Sequence, residues 1–396
     1  MPAAERFRLG VNYWPPETAM RWLTHYDGAA VRRDLGRIAV SGMDTVRIFL
    51  RWDDLQPTAT AIDGRALAAV VDTADAAHDA GVELVVTLFT GHMSGVNWIP
   101  RWATGGDDGD VRFRVVSGTD IREPMVLRNW YSDPEIVDAQ ASLAGAVGTA
   151  LAGHPALWAW DLGNESSNCT IPPDEGTARA WLERMTSVLR THDPGRAITI
   201  GTHMEDLEHD RVIGPALAAE WCDFVCMHGY PIYADFATGP TDPHVVPFLA
   251  ELTTWLAGGA PLLFEELGHP TARPGQLPVG MQVGEDEAAV YVARTLDALR
   301  DSGAMGALLW CYSDYDPSLD AAPPLDVAVH ERTFGLWRTD GTPKPAVAEV
   351  STRSGRTRLP SPSVHPWLDI TPDEFAADRA RQLPRLAARY RERSTS

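Results

Sequence analysis

Eight short apolar runs divide this chain, at residues 7–14, 44–52, 82–89, 156–163, 197–203, 222–230, 261–267 and 304–312. Most are nearly continuous rather than alternating, as parallel strands buried on both faces require. Helical patterns lie between them. Val31, Leu35 and Ile38 share one helical face, and Gly42 ends that helix before the second run. Asp133 followed by Pro134 sets a cap and a first helical residue, and that helix runs towards Gly153. Another covers residues 285–301 and stops at Gly303. Eight strand–helix units predict a (β/α)8 TIM barrel over residues 1–351. An extension at 352–396 follows, first loop-like and then helical from Pro372. An open doubly wound sheet would need a glycine-rich phosphate loop after its first strand. The first run instead ends Asn12-Tyr13-Trp14-Pro15-Pro16, which offers no such cradle.

Two connections are long, residues 90–130 after the third run and 313–333 after the eighth. Both leave C-terminal strand ends, the face on which barrels build their sites. The first contains Trp98, Trp102 and Trp130, part of a complement of 14 Trp, and with the adjoining Tyr131 predicts an ordered wall. With 34 basic against 54 acidic residues, the net charge of −20 disfavours nucleic acid and anionic membranes as partners. No run of 18 apolar residues exists, so no membrane span is expected. The start, Met1 to Phe7, has no apolar stretch of the signal-peptide kind, which gives a cytoplasmic expectation. The four cysteines have no CxxC spacing, and Cys222 and Cys226 read as core residues. Lys344 is the only lysine. The arginines at 379, 381, 385, 389, 391 and 393 read first as a solvated helix face, and second as a homo-oligomer contact.

Polar residues at C-terminal strand ends are where barrel chemistry is expected. The fourth run ends at Asn164-Glu165 and the seventh at Glu265-Glu266-Leu267-Gly268, so two strands each deliver a carboxylate to one rim. Paired carboxylates suit glycoside hydrolysis, one protonating the leaving oxygen and the other attacking the sugar carbon or activating water. Glu265 and Glu266 are neighbours on a strand and should point to opposite sides, leaving only one for the pocket.

The segment His154-Pro155-Ala156-Leu157-Trp158-Ala159-Trp160-Asp161-Leu162-Gly163-Asn164-Glu165 resembles the fourth-strand signature of glycoside hydrolase clan A, and most of all family 5, the cellulase and β-mannanase family. The seventh-strand run is similar to the family's Glu-aromatic-Gly motif, with Leu267 in place of the aromatic residue. Arg47 resembles the second-strand arginine, His228-Gly229-Tyr230 the sixth-strand His-x-Tyr, and Trp310 the eighth-strand tryptophan. The segment from Phe334 to Pro345 resembles the clan's closing stretch. The resemblance implies Glu165 as acid/base with a raised pKa, Glu266 as nucleophile, and Arg47 and Tyr230 as its supports. It implies Asn164 on the sugar 2-hydroxyl, His228 as a positioning group and Trp310 as the floor beneath the sugar.

Other candidates keep two readings each. His92 and His203 are substrate contacts or loop hydrogen-bonders. Trp98 and Trp130 are sugar walls or loop core. Asn12, Tyr13 and Trp14 line the cleft or pack, and Asp314 and Asp316 are turn residues or sugar ligands. The histidines lack a zinc spacing, so no metal and no cofactor are expected. The expected activity is a retaining, exo-acting β-mannosidase on short oligosaccharides. A β-mannanase or cellulase-like endo-enzyme and a catalytically silent sugar-binding barrel are the alternatives.

Overall fold

A computed structural model describes residues 5–105, 112–118, 120–122, 126–362 and 365–393. The chain start at 1–4 and parts of the long third connection lie outside these residues. Eight parallel strands form the spine: β1 (Arg8–Tyr13), β2 (Thr45–Arg51), β3 (Glu83–Thr90), β4 (Leu157–Asn164), β5 (Ala197–Gly201), β6 (Val225–His228), β7 (Leu262–Leu267) and β8 (Gly306–Leu309). Their order is β6-β7-β8-β1-β2-β3-β4-β5. The remaining seam closes where His203 bridges His228 and the His228 amide donates to the Thr202 carbonyl at 2.9 Å. The result is the (β/α)8 barrel.

Side-chain alternation fixes what fills it. Val46, Ile48 and Leu50 of β2 face the helices, while Arg47 turns inward with 0% exposure. A small apolar plug of Val85, Ala159, Phe224, Cys226, Leu263 and Leu308 fills part of the interior. The helices start as the sequence suggests. Asp133 accepts from the amides of Glu135 and Ile136 to cap Pro134–Ala150, and the helix Glu285–Asp301 has its predicted limits. The connection after β3 folds into a small separate sheet from 92–93, 96–98, 114–117 and 120–122. Among the described residues no helix is long and apolar enough to cross a membrane.

The only lysine is a strut. Lys344 is 4% exposed, and its ammonium donates to Asp314 at 2.6 Å, to Thr271 Oγ1 at 2.8 Å and to the Thr333 carbonyl at 3.1 Å. Asp314 is therefore a structural partner and not a sugar ligand. Asp316 caps a short turn by accepting from the Ser318 amide.

The C-terminal helices Pro372–Ala377 and Arg379–Arg393 dock against the barrel through Trp367, Phe375, Leu386 and Tyr390. Glu251, on the barrel helix Val245–Leu256, is the polar anchor. It is 3% exposed and accepts from His365 at 2.9 Å, Trp367 Nε1 at 3.2 Å, Tyr390 OH at 3.1 Å and Arg393 at 2.9 Å. The expected solvated arginine face is thus partly engaged within the chain. Arg385 and Arg389 pair with Asp369 within the extension, while Arg391 pairs with Asp242 and Arg393 with Glu251, because the extension folds back onto acidic positions of the barrel.

Burial resists ionisation of Glu251, but His365 and Arg393 outweigh it and hold the carboxyl at about 2. A depressed carboxylate stabilises the fold above its ordinary 4.5, and that contribution disappears as pH falls towards 2. Glu251→Ala should cost about 2–3 kcal/mol in urea unfolding at neutral pH. The difference from wild type should shrink on acidification between those values, and a constant difference would contradict the anchor.

Candidate active site

The C-terminal barrel mouth opens into a cavity of about 340 Å³. Its lining includes His92, Asn164, Glu165, His203, His228, Tyr230, Glu266 and Trp310, so eight of the residues singled out in the sequence meet at one place.

Backbone irregularities aim the two carboxylates. The β7 pairing with β8 slips between Phe264 and Leu267, and its pairing with β6 slips at His228. Strict alternation therefore fails at Glu265-Glu266, and both side chains turn inwards. They occupy different levels. Glu265, 0% exposed, contacts Arg47 Nε at 3.4 Å and His228 Nε2 at 3.3 Å below the cavity. Glu266 reaches the cavity, accepting from Arg47 Nη1 at 2.7 Å and Tyr230 OH at 3.0 Å. The expectation that the two acids face opposite sides is corrected, and Glu266 alone lines the pocket. At the end of β4, Glu165 sits in the left-handed region with φ 47°, a conformation costly for a side chain other than glycine. It presents its carboxylate beside Asn164 rather than across the strand.

Arg47 is wholly buried and does not line the cavity; it lies beneath the site and bonds Glu266 rather than a sugar. Its guanidinium also bonds Asp161 at 2.7 Å, and Thr87 donates to the same carboxylate at 2.6 Å. Burial and Glu265, opposed by Arg47, push Asp161 up to about 6. The arrangement needs Gly201, where a Cβ would come within 2.6 Å of the Gly163 carbonyl and 2.9 Å of Arg47 Nη2. Asn12 is buried in the same layer, accepting from Arg47 at 3.3 Å and donating to the Glu265 carbonyl at 2.9 Å.

Trp98 and Trp130 are corrected as well. Both are buried and outside the cavity. Trp130 packs edge-on to Trp52 with centroids 5.2 Å apart, over Gly91, where a Cβ would lie 2.3 Å from its ring. Trp98 donates to the Met93 carbonyl and stands near Arg51. They hold the connection after β3 in place. The aromatic groups that do face the cavity are Phe113, 4.4 Å from the His92 ring, together with Tyr230, Tyr233 and Trp310. Phe113, Tyr233, Asn168, Ser94, Glu205 and Glu331 carried no sequence signal of their own. Asp161 did, as a charge inside an otherwise apolar strand.

His228 sits among three acids. Its Nδ1 is 3.0 Å from Glu165 and 3.7 Å from Glu266, while its Nε2 faces Glu265. Burial opposes protonation, but Glu266, Glu165 and Glu265 outweigh it and raise His228 to about 10. Glu165 was expected to be raised. Burial does push it up, yet His203 at 3.7 Å, His228 and His92 hold it well below the usual carboxylate range. Glu266 goes the other way: burial raises it against His228 and Arg47, and Glu165 adds to the rise. One oxygen each of Glu165 and Glu266 and a ring nitrogen of His228 lie within 4.8 Å of one another. That trio has the types of metal ligands, but a His228 donating from both nitrogens has no lone pair to give.

His228 should stay protonated in an NMR titration until about pH 10, and Glu165→Gln should lower that midpoint. Its raised value stabilises the fold fully below the ordinary 6.5, and the contribution is lost as pH rises through about 10. Titration near 6.5 in the wild type would refute the acid cage.

No family model matches the chain. Over 200 residues it is 26% identical to a putative mannan endo-1,4-beta-mannosidase 5 of Oryza sativa subsp. japonica, covering 41% of this chain and 38% of that protein. The chain thus spans under two fifths of that curated relative. A solved GH5_18 structure from Streptomyces cattleya, in complex with GlcNAc, is 26% identical with a TM-score of 0.80, covering 99% of this chain and 92% of the other. The GH5_18 protein of the same organism is also solved with Manb1-4GlcNAc, at 26% identity, a TM-score of 0.78, and coverage of 98% and 92%. The exo-beta-1,4-mannosidase Op5Man5 from Opitutaceae bacterium strain TAV5 is 25% identical with a TM-score of 0.73, covering 89% of this chain and 59% of that one. Fold, rim carboxylates and these likenesses agree in supporting glycoside hydrolase clan A, family 5, as the group this chain resembles.

Proposed function

We propose that this chain is a retaining, exo-acting β-mannosidase that removes mannose from short β-mannosides, mannosyl-N-acetylglucosamine among them. The observation that carries the retaining reading is the spacing of Glu165 and Glu266, with oxygens within 4.8 Å. Retaining enzymes hold their carboxyls about 5–5.5 Å apart, whereas inverting ones leave room for a water.

In this mechanism Glu266 attacks the sugar carbon, supported by Arg47 and Tyr230. Glu165 gives a proton to the leaving oxygen and then takes one from water. The proton inventory fits. Four carboxylates, Asp161, Glu165, Glu265 and Glu266, face two cations, Arg47 and His228, so the cluster tends to keep a proton. Glu165 and Glu266 lie close enough for their titrations to interact. The histidines favour the charge on Glu165. A glycosidic oxygen beside Glu165 accepts from its protonated form, which draws the shared proton there and leaves Glu266 ionised. Asn164 donates to the His92 carbonyl at 2.8 Å and leaves its Oδ1 without a partner, free to accept from the sugar 2-hydroxyl.

Exo action is supported by the cavity's shape. The connections after β3 and β8 meet across one end, where Ser94 donates to Glu331 at 2.9 Å. The mannose reading is supported by the likeness to the GH5_18 protein solved with Manb1-4GlcNAc, over 98% of this chain, and to the exo-beta-1,4-mannosidase, over 89% of this chain and 59% of that one.

4-Nitrophenyl β-mannoside should be cleaved and the β-glucoside left nearly intact, with manno-oligosaccharides losing mannose stepwise. Internal cleavage would favour an endo-mannanase instead. Glu266→Ala should be inactive, with azide restoring turnover to an α-mannosyl azide. Glu165→Ala should lose roughly 10²–10⁴-fold on poor leaving groups and far less on activated aryl mannosides. If Glu265→Ala is the azide-rescued variant, Glu266 is not the nucleophile.

A further inference from the structure

Glu331 is a buried acid at the cavity wall that the proposed mechanism does not use. It lies in the connection after β8 and is 6% exposed. Three segments converge on it. Its Oε2 accepts from Ser94 at 2.9 Å and Trp310 Nε1 at 3.2 Å, and its Oε1 accepts from Tyr233 OH at 3.2 Å. His330, next in chain, sits 2.7 Å from that hydroxyl and 3.6 Å from Glu331 itself. Ser94 is held for this contact in the left-handed region at φ 54°, followed by Gly95 at φ 75°.

The position is defined by the chemistry. In the proposed mechanism the leaving sugar extends on the side of Glu165, the acid/base; His203, Met204, Glu205 and Glu208 also line the cavity. In the same mechanism the retained sugar lies over Glu266, with Asn164 and Trp310 lining the same cavity. In that pose Glu331, bonded to Trp310 and to Ser94 of the connection after β3, would stand beside the retained sugar rather than the leaving group. A carboxylate there can accept from adjacent hydroxyls of one ring, and charge-assisted bonds of this kind are strong and directional. A further sugar attached to those hydroxyls would have to occupy the space of the Glu331 side chain.

We propose that Glu331 reads the free hydroxyls of the non-reducing terminal sugar and is the stop that restricts the enzyme to terminal residues. The inference rests on the exo-β-mannosidase reading and gives it a residue.

Two variants and two substrates test it: Glu331→Gln and Glu331→Ala, on 4-nitrophenyl β-mannoside and 4-nitrophenyl β-mannobioside. Glu331→Gln keeps the side-chain volume and loses the charge. It should raise KM for the mannoside roughly tenfold or more, with a smaller change in kcat, at a melting temperature close to wild type. Glu331→Ala opens the wall and should release mannobiose as a disaccharide from the second substrate, a product the wild type does not make. Wild-type KM in Glu331→Gln overturns the proposal on its own, whether or not the alanine variant is stable. Release of mannose alone by a folded Glu331→Ala overturns the stop. A wild type inert on both mannosides would instead refute the parent reading, and wild-type release of mannobiose would refute its exo component.

Discussion

A single buried guanidinium organises the barrel's polar layer. Arg47 rises from β2 without exposure and meets Asp161 of β4 and both glutamates of β7. Each of those acids would face a penalty of several kcal/mol if buried alone. The planar fork serves three directions at once, which a lysine ammonium on a flexible stem does not. Consequences spread outward. Gly201 must lack a side chain, Asn12 must brace the guanidinium and Thr87 must share Asp161. The upper carboxylate, Glu266, then stands at a fixed height in the cavity.

Above that layer the field is set by imidazoles. His92, His203 and His228 surround Glu165, while burial dominates at Glu266. These neighbours favour charge on Glu165 and burial opposes it on Glu266, the reverse of what the proposed mechanism needs at the moment of cleavage. The difference between the two arrangements is one proton moved between neighbouring carboxylates, which needs no change of side-chain geometry.

The architecture was legible because parallel strands need continuous apolar runs, and these occur eight times with helix signals between them. Glu165 and Glu266 were legible because their neighbours repeat a known pattern. What escaped were features that depend on backbone departures or distant loops. The slip at Glu265-Glu266 has no local marker, and it defeats simple alternation. Glu331 comes from a connection whose sequence has no period, and only the closing of two loops places it at the wall. Trp98 and Trp130 misled for a related reason. A tryptophan suits a sugar face and a loop core equally well, and Trp52 and Gly91 decide for the core.

The solitary lysine has a practical consequence. Lys344 spends its three donors on Asp314, Thr271 and Thr333, which tie the segments after β7 and β8 to the closing helix Pro345–Ser351. The folded chain therefore presents no accessible lysine amine. Amine-reactive dyes, cross-linkers and activated resins will find that side chain only after the barrel has opened. Attachment of this protein to a surface has to rely on its carboxylates or arginines, and side-chain amine labelling becomes a clock for unfolding.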